Sequence, residues 1–210
     1  MIRILAHRGI WNNATQQNTL KSFEKSLDFK VGIETDVRNH GSRIIIMHDI
    51  PKKKKFIYLE DLFDLYKSKN SKQFLALNIK SDGIRDEIIR ITSKYNIQNY
   101  FTFDMSVPEM VNYSKSKIKF LIRISEYENE YDNQKKLNHQ GVWIDQFNKD
   151  WLNRKDVSRY LKNFKHVCIV SPECHKRNYI NTWNKIKYFN NNQLHICTDH
   201  PIEAKKFFHE

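Results

Sequence analysis

An α/β fold, a (β/α)8 TIM barrel with a short hairpin arm after the second strand, is predicted by three features of this sequence. Short apolar runs, typical of buried strands, alternate with longer amphipathic runs typical of helices. This alternation indicates parallel strands joined by crossover helices. The sequence contains eight such strand–helix units, the number that closes a barrel, and its 210 residues are near the lower length limit for one.

The predicted elements follow one another without long linkers or repeats. The strands are Ile2–Ala6, Gly32–Val37, Phe74–Ile79, Tyr100–Phe103, Lys119–Ile124, Val142–Asp145, His166–Val170 and Leu194–Thr198. The helices include Thr19–Phe29, Leu59–Tyr66, Ile84–Tyr95, Val107–Lys115, Asp156–Phe164, Ile180–Tyr188 and Pro201–Phe208. Proline suits the first turn of the last helix because its fixed φ is helical and its missing N–H has no partner there.

A ninth apolar run, Arg43–His48, predicts the hairpin arm. It follows the second strand after only Arg38–Ser42, and a parallel crossover needs about a dozen residues or more. His40-Gly41-Ser42 instead indicates a hairpin turn. An antiparallel fold-back about residue 42 would bring His48 opposite Asp36.

Composition indicates a single globular domain over residues 1–210. Hydrophobic residues make up 40% of the chain and charged residues 29%, as in ordinary globular proteins. No apolar run reaches the ~18–20 residues that a transmembrane helix needs. Met1–Leu5 leads directly into the first motif, which leaves no room for a signal peptide. The three cysteines have no metal-ligand spacing and fit a reducing compartment, so we expect a cytoplasmic protein.

The net charge of +12 suits an anionic substrate, a membrane surface or nucleic acid. No nucleic-acid-binding signature accompanies it, so we expect a small anionic substrate and no nucleic acid. The Lys52–Lys55 run is typical of a solvated loop, and a second interpretation is that it steers a polyanionic or lipid-surface substrate. No feature of the sequence predicts an oligomeric state.

Three short motifs carry the chemistry: His7-Arg8-Gly9, Glu34-Thr35-Asp36 and His48-Asp49. Each lies at or just past the end of a predicted strand, where barrel active sites are built. Glu34 and Asp36 alternate along a strand, so both side chains point to one face. Two carboxylates can hold a divalent cation, a guanidinium can neutralise a phosphodiester and two imidazoles can exchange protons.

The order of these motifs resembles the glycerophosphodiester phosphodiesterase family, a (β/α)8-barrel family related to the phosphoinositide-specific phospholipases C. The resemblance extends from the first strand to the last, with a loose match from about residue 81 to 195. The matching residues are Ala6-His7-Arg8-Gly9, Asn18-Thr19-Leu20, Gly32–Val37, His48-Asp49, Asn78-Ile79-Lys80 and Thr198-Asp199-His200-Pro201.

The resemblance implies a metal-dependent phosphoric diester hydrolase. It implies that His7 and His48 are the catalytic acid/base pair. Glu34 and Asp36 would be ligands of Mg²⁺ or Ca²⁺, since hard cations prefer oxygen donors. Arg8 and Lys80 would bind the phosphate. From the strand ends we add Arg123, Asp145 and Glu173 as substrate-binding candidates.

Two positions depart from the family pattern. Gln17 stands where the family usually has Glu, and Asn78 stands where a third metal carboxylate is expected. Asn78 can still offer a carbonyl oxygen as a metal ligand, but it removes one negative charge.

Three functions follow from these residues. The first is hydrolysis of a glycerophosphodiester or a similar alcohol-phosphate linkage, such as one from a lipid headgroup or a surface glycan, which would place the protein in lipid metabolism. The second is a catalytically impaired barrel that only binds a phosphoryl ligand. The third is a lyase that releases a cyclic phosphate.

Overall fold

The computed structural model describes residues 1–52, 55–128 and 136–210, and eight parallel strands in it form a nearly closed barrel. Around the barrel the order is β5-β4-β2-β1-β9-β8-β7-β6, with β3 paired to β2 outside this path. The described strands are β1 (Arg3–His7), β2 (Gly32–His40), β3 (Arg43–Ile46), β4 (Leu75–Ile79), β5 (Tyr100–Phe103), β6 (Leu121–Ile124), β7 (Gly141–Ile144), β8 (His166–Val170) and β9 (Leu194–Thr198). The predicted (β/α)8 fold is therefore confirmed.

Helices pack around the barrel and connect its strands. Those described are α1 (Leu20–Asp28), α2 (Leu59–Ser68), α3 (Arg85–Lys94), α4 (Val107–Ser114), α5 (Arg154–Asn163), α6 (Ile180–Ile186) and α7 (Pro201–His209). Side-chain caps set several of the starts. Asn153 Oδ1 accepts a hydrogen bond from the Asp156 amide at 3.0 Å, so α5 begins two residues before the predicted Asp156. Within the described residues, no helix is both long enough and apolar enough to cross a membrane.

The predicted hairpin arm is present. β2 and β3 pair antiparallel with Val37 opposite Ile46, and Gly41 makes the turn with φ +59°. β3 ends at Ile46, two residues earlier than predicted. The Met47 amide donates to the Asp36 carbonyl at 3.0 Å, so His48 follows directly after the residue that faces Asp36.

Side-chain alternation divides the core into two parts. One set of strand residues faces outward and packs under the helices, for example Ile33 and Leu77. The alternate set fills the barrel interior, with Leu5, Ala76, Phe101, Leu121, Trp143, Cys168 and Cys197 in one cluster. Nearer the carboxyl ends of the strands, the inward-facing positions are occupied by polar residues. The barrel interior is therefore apolar in its middle and polar at the carboxyl ends of the strands, which form the mouth of the barrel.

Between β5 and β6 the barrel is closed by a single isolated residue pair. Thr102 of β5 pairs with Phe120, just before β6, and the Thr102 amide donates to the Lys119 carbonyl at 2.8 Å. The other neighbouring barrel strands are joined by registers of three to five residue pairs. Longer pairing gives the sheet its stability, so this seam depends more on side chains.

Candidate active site

His7 lies at the carboxyl end of β1, beside the end of β9. Because Ala6 pairs with Thr198 across these strands, His7 and Asp199 meet at the mouth, and Nδ1 of His7 lies 2.7 Å from Oδ1 of Asp199. The other ring nitrogen, Nε2, is 3.9 Å from Oε2 of Glu34. Burial lowers the pKa of His7, but hydrogen bonds to Asp199 and Cys174 and the charge of Glu34 together raise that pKa well above its usual value.

The chain turns sharply after His7, and Gly9 is required for the turn. Arg8 and Gly9 both have positive φ, +58° and +84°. A Cβ on Gly9 would lie 2.5 Å from Oγ of Ser22 and 2.8 Å from its backbone carbon, so only glycine fits against α1. This turn aims the Arg8 guanidinium at β2, where Nε is 2.9 Å from Oδ2 of Asp36. One of its terminal nitrogens donates to Gln17 Oε1 at 3.2 Å, so Gln17 supports Arg8 without adding charge.

Glu34 and Asp36 both face the barrel interior and are almost completely buried, with exposed fractions of 1% and 0%. Asp36 accepts a hydrogen bond from the Asn18 side-chain amide at 2.9 Å and lies 3.5 Å from the Lys80 ammonium. Burial and the neighbouring Asp36 raise the pKa of Glu34, against the opposing charges of His7, Arg8 and Lys80. Two buried acids on one strand need a cation nearby, and the structure places Arg8 and Lys80 there.

The predicted metal donors contain unused oxygen atoms. Asn78 pairs in register with Asp36 across β2 and β4, which brings the two side chains to adjacent inward positions. Oδ1 of Asn78 and Oδ1 of Asp36 are buried and make no hydrogen bond with the described residues, although the Lys80 ammonium lies 3.5 Å from the Asp36 oxygen. Buried oxygens without donors are uncommon and costly, and a hard cation would satisfy them. Glu34, Asp36 and Asn78 therefore fit a divalent cation of the Mg²⁺ or Ca²⁺ type.

A chain of alternating charges extends from Asp36 around the mouth. Lys80 bridges Asp36 to Asp104, with 3.3 Å between Nζ and the Asp104 carboxylate. Asp104 also pairs with Arg123, whose Nε donates to Glu128 at 2.6 Å. Asp104 is thus already paired with two positively charged side chains. The predicted phosphate and substrate ligands Lys80 and Arg123 are both partly buried here, so their positions are fixed before any substrate binds.

Asp145 and Glu173 have partners within the protein. Asp145 lies 2.5 Å from Nε2 of His175, and its carboxylate also accepts from the Gln146 amide at 3.0 Å. Glu173 accepts hydrogen bonds from the hydroxyls of Ser171 and Thr198 and from the Asp199 amide, the last at 3.1 Å. Glu173 therefore holds the end of β9 in place and so fixes the position of Asp199.

His48 lies on the loop after the hairpin arm, with a half-exposed side chain whose Nδ1 is 2.7 Å from Oδ1 of Asp49. It lines a cavity of about 460 Å³ together with Arg8, Gln17, Asn18, Lys52 and Lys55. Lys53 and Lys54 of the basic run lie outside the described residues. His7 is not part of the cavity lining. Arg8 connects the two histidines, because it follows His7 in sequence and its side chain reaches the His48 cavity.

Three residues at this site were not among the predicted site residues. Asp199 orients His7, Asn18 holds Asp36 while accepting from the Thr35 hydroxyl at 2.8 Å, and Cys174 contacts His7. The position of Asp199 could have been inferred, since the first and last strands of a barrel are neighbours. Cys174 lies in the turn of 3₁₀ helix Pro172–His175, and no spacing in the sequence indicates its contact.

The fold and site define a (β/α)8 barrel with a mixed acidic and basic centre at the carboxyl ends of its strands. No protein-family model matches the sequence, and no curated protein matches it. Among solved structures, the chain is similar to a protein from Galdieria sulphuraria assigned as a glycerophosphodiester phosphodiesterase, at 16% identity and a TM-score of 0.81, covering 100% of this chain and 98% of that one.

Two further structures with the same fold belong to proteins of this type. A glycerophosphodiester phosphodiesterase from Thermotoga maritima is 16% identical, with a TM-score of 0.70 and 99% and 97% of the two chains covered. A phosphodiesterase from Oleispira antarctica, in complex with the product sn-glycerol-3-phosphate, is 14% identical, with the same TM-score and coverage. At these identities the comparisons show a shared barrel over the whole chain.

Proposed function

We propose that this protein is a metal-dependent phosphodiesterase that hydrolyses a glycerophosphodiester or a similar alcohol-phosphate linkage. The observation that supports it best is the joined arrangement of His7 with Asp199 and Glu34, and of Arg8 with Asp36, at one mouth of the barrel. These groups can transfer protons, bind a cation and bind a phosphate, and each lies within a few ångströms of its neighbour. The similar structures named above add support, because their fold is the one this chain adopts.

The metal would be held by Glu34, Asp36 and Asn78. When bound, it would supply positive charge that stabilises the phosphoryl oxygens. Asn78 brings a neutral oxygen to this set, so we expect weaker metal binding than three carboxylates would give.

His7 is positioned for proton transfer by Asp199. The hydrogen bond at Nδ1 fixes the ring and leaves Nε2 directed towards Glu34 and the mouth. We assign His48, on the rim of the adjoining cavity, as the second proton-transfer group. One histidine would take the proton of the attacking hydroxyl or water, and the other would protonate the leaving oxygen.

Arg8 and Lys80 are the proposed phosphate ligands. Both side chains are held at the mouth by Asp36, so they present positive charge without a loss of side-chain freedom on binding. The planar guanidinium of Arg8 can contact two phosphoryl oxygens at once. Arg123, Asp145 and Glu173 surround this centre and would shape the pocket for the alcohol moiety.

Two related functions share this site. Asn78 favours a barrel that binds a phosphoryl ligand without turnover, because the missing carboxylate weakens metal binding. A neighbouring substrate hydroxyl acting as nucleophile would instead give a cyclic phosphate as final product. We propose a single domain over residues 1–210, a cytoplasmic location, and lipid headgroups or surface glycans as the substrate source.

Phosphorus NMR of glycerophosphodiesters incubated with the protein and Mg²⁺ or Ca²⁺ separates these functions. A phosphomonoester product supports hydrolysis, an accumulating cyclic phosphate indicates the lyase, and binding without any product indicates the impaired barrel. We expect His7→Ala and His48→Ala each to lower the rate by about a hundredfold or more, as for other lost proton-transfer groups. His40→Ala, at the exposed hairpin turn, is the matched control. Equal rates for His7→Ala and this control would remove His7 from the mechanism.

Asp199→Asn tests the positioning of His7. The amide keeps the shape but no longer stabilises the correct imidazole tautomer and its charge, so we expect kcat to fall by about tenfold or more with little change in KM. The pH–rate profile should also shift, which a purely structural defect would not cause. An unchanged profile together with an unchanged kcat would contradict the role of Asp199.

A further inference from the structure

A cluster of His7, Cys174 and Asp199 lies beside the proposed catalytic centre. The three residues come from the end of β1, the 3₁₀ turn after β8 and the end of β9. One potential ligand atom from each lies within 4.8 Å of the other two. Within the part of the chain that the structure describes, it is the one group of three or more His, Cys, Asp or Glu side chains with this spacing.

We propose that this cluster is a binding site for Zn²⁺, separate from the oxygen site of Glu34, Asp36 and Asn78, and that Zn²⁺ bound there inhibits the enzyme. A thiol, an imidazole and a carboxylate are the three side-chain types that zinc prefers. Three protein ligands leave a fourth tetrahedral position for water.

The distances permit such a site after a small movement. Zinc binds nitrogen and oxygen at about 2.0–2.2 Å and sulphur at about 2.3 Å, so tetrahedral ligands lie roughly 3.3–3.6 Å from one another. The hydrogen bond between His7 and Asp199, 2.7 Å long, would have to open by roughly 0.6–0.9 Å to admit the ion. The proton shared by these two groups would pass to solvent when zinc binds.

Cys174 would bind zinc as its thiolate, and its thiol proton would pass to solvent on binding. Cys174 Sγ lies 3.8 Å from the Cys197 carbonyl oxygen. Thiolate sulphur discriminates strongly against Mg²⁺ and Ca²⁺, so the hard ions stay on the oxygen donors while zinc enters the cluster.

Inhibition follows from His7, which belongs both to the zinc cluster and to the proposed catalytic pair. His7 cannot transfer a proton while one of its nitrogens is bound to zinc and Asp199 has moved with it. This consequence rests on the proposed function, whereas the metal site itself does not. Binding and inhibition are therefore measured separately.

Co²⁺ replaces Zn²⁺ as a spectroscopic probe of binding, because a cobalt–thiolate bond gives an intense near-ultraviolet charge-transfer band. We expect the full chain to show this band, Zn²⁺ to abolish it, and excess Mg²⁺ or Ca²⁺ to leave it unchanged. Cys174→Ser should remove the band and weaken Zn²⁺ binding in calorimetry by about a hundredfold or more, since even lost outer contacts to a metal site cost about 10–100-fold. Cys168→Ala, which removes the buried interior thiol of β8, is the matched control and should keep the band.

Two results would overturn the site: no charge-transfer band in the unmodified chain, or a band that persists in Cys174→Ser. Circular dichroism of each variant shows that it is folded before its titration is interpreted. For inhibition, each variant is compared with its own zinc-free rate. Zinc that inhibits Cys174→Ser as strongly as the unmodified chain would refute the inhibitory role. If no phosphodiesterase activity is found, the proposed function fails, but the cobalt spectrum still decides whether the site exists.

Discussion

Two buried histidines at the amino end of the barrel, opposite the active site, predict that the protein loses stability in mild acid. His166 and His195 face each other inside the barrel, with 3.2 Å between Nδ1 and Nε2, and the rings of Phe74 and Phe101 enclose them. Burial, together with the nearby charges of Lys165 and Arg3, lowers the pKa of His166 from 6.5 to about 4. Burial also lowers the pKa of His195 well below its usual value.

The sign of the effect follows from these shifts. The folded state needs neutral imidazoles, so His166 contributes its full stabilisation above its unfolded pKa of 6.5 and loses it as the pH falls towards 4. Between those values the unfolded chain binds more protons than the folded one. From about pH 7.5 to about pH 5 the loss amounts to at most about 2 kcal/mol for this one group, at 1.36 kcal/mol per pKa unit.

His166→Gln isolates this contribution, because glutamine retains a hydrogen-bonding side chain but does not titrate. Urea unfolding followed by tryptophan fluorescence would give the free energy of unfolding at each pH. We expect the unmodified chain to lose about 2 kcal/mol more than His166→Gln over that pH range, whatever the offset between the two at neutral pH. His40→Gln, at the exposed turn, controls for the loss of a histidine. A constant difference between the unmodified chain and His166→Gln at every pH would refute the reasoning.

Three further predictions concern the mouth of the barrel. Asn78→Glu restores a third carboxylate, so we expect Mg²⁺ or Ca²⁺ affinity to rise by about tenfold or more in calorimetry, and an unchanged affinity would exclude Asn78 as a ligand position. Gly9→Ala places a Cβ against Ser22 at positive φ and should lower the free energy of unfolding by about 1–3 kcal/mol in urea titrations, and a neutral effect would contradict the geometry of the turn. Replacing Lys52 and Lys55 by Gln should flatten the decrease of kcat/KM with salt for an anionic substrate, and an identical salt slope would exclude electrostatic steering.

Much of the fold was predictable because strand periodicity and chain reversal are local properties. The alternation of Glu34 and Asp36 placed both carboxylates on one face, and the short Arg38–Ser42 connection excluded a parallel crossover. The start of α5 was placed too late, because the Asn153 cap contributes no apolar residue to the helical pattern.

The candidate site was less predictable, because its contacts depend on side-chain directions in turns. The pairing of Lys80 and Arg123 with Asp104 joins residues at the carboxyl ends of β4, β5 and β6, which come together only when the barrel closes. Cys174 reaches His7 from a 3₁₀ turn, which has no repeating pattern that a sequence would show.

The sparse backbone pairing between β5 and β6 makes this side of the barrel the easiest to separate. Among the described residues, Thr102 and Phe120 supply the backbone pairing there, and the Asp104–Arg123 ion pair lies above it at the rim. Parting these contacts would widen the opening while every other strand ladder stays intact. High ionic strength weakens such an ion pair, so amide hydrogens along β5 and β6 should exchange faster in salt than those of β1 and β9. Separation of β5 from β6 would admit a bulkier ligand to the mouth, while the other strands keep His7 and its acidic neighbours in place.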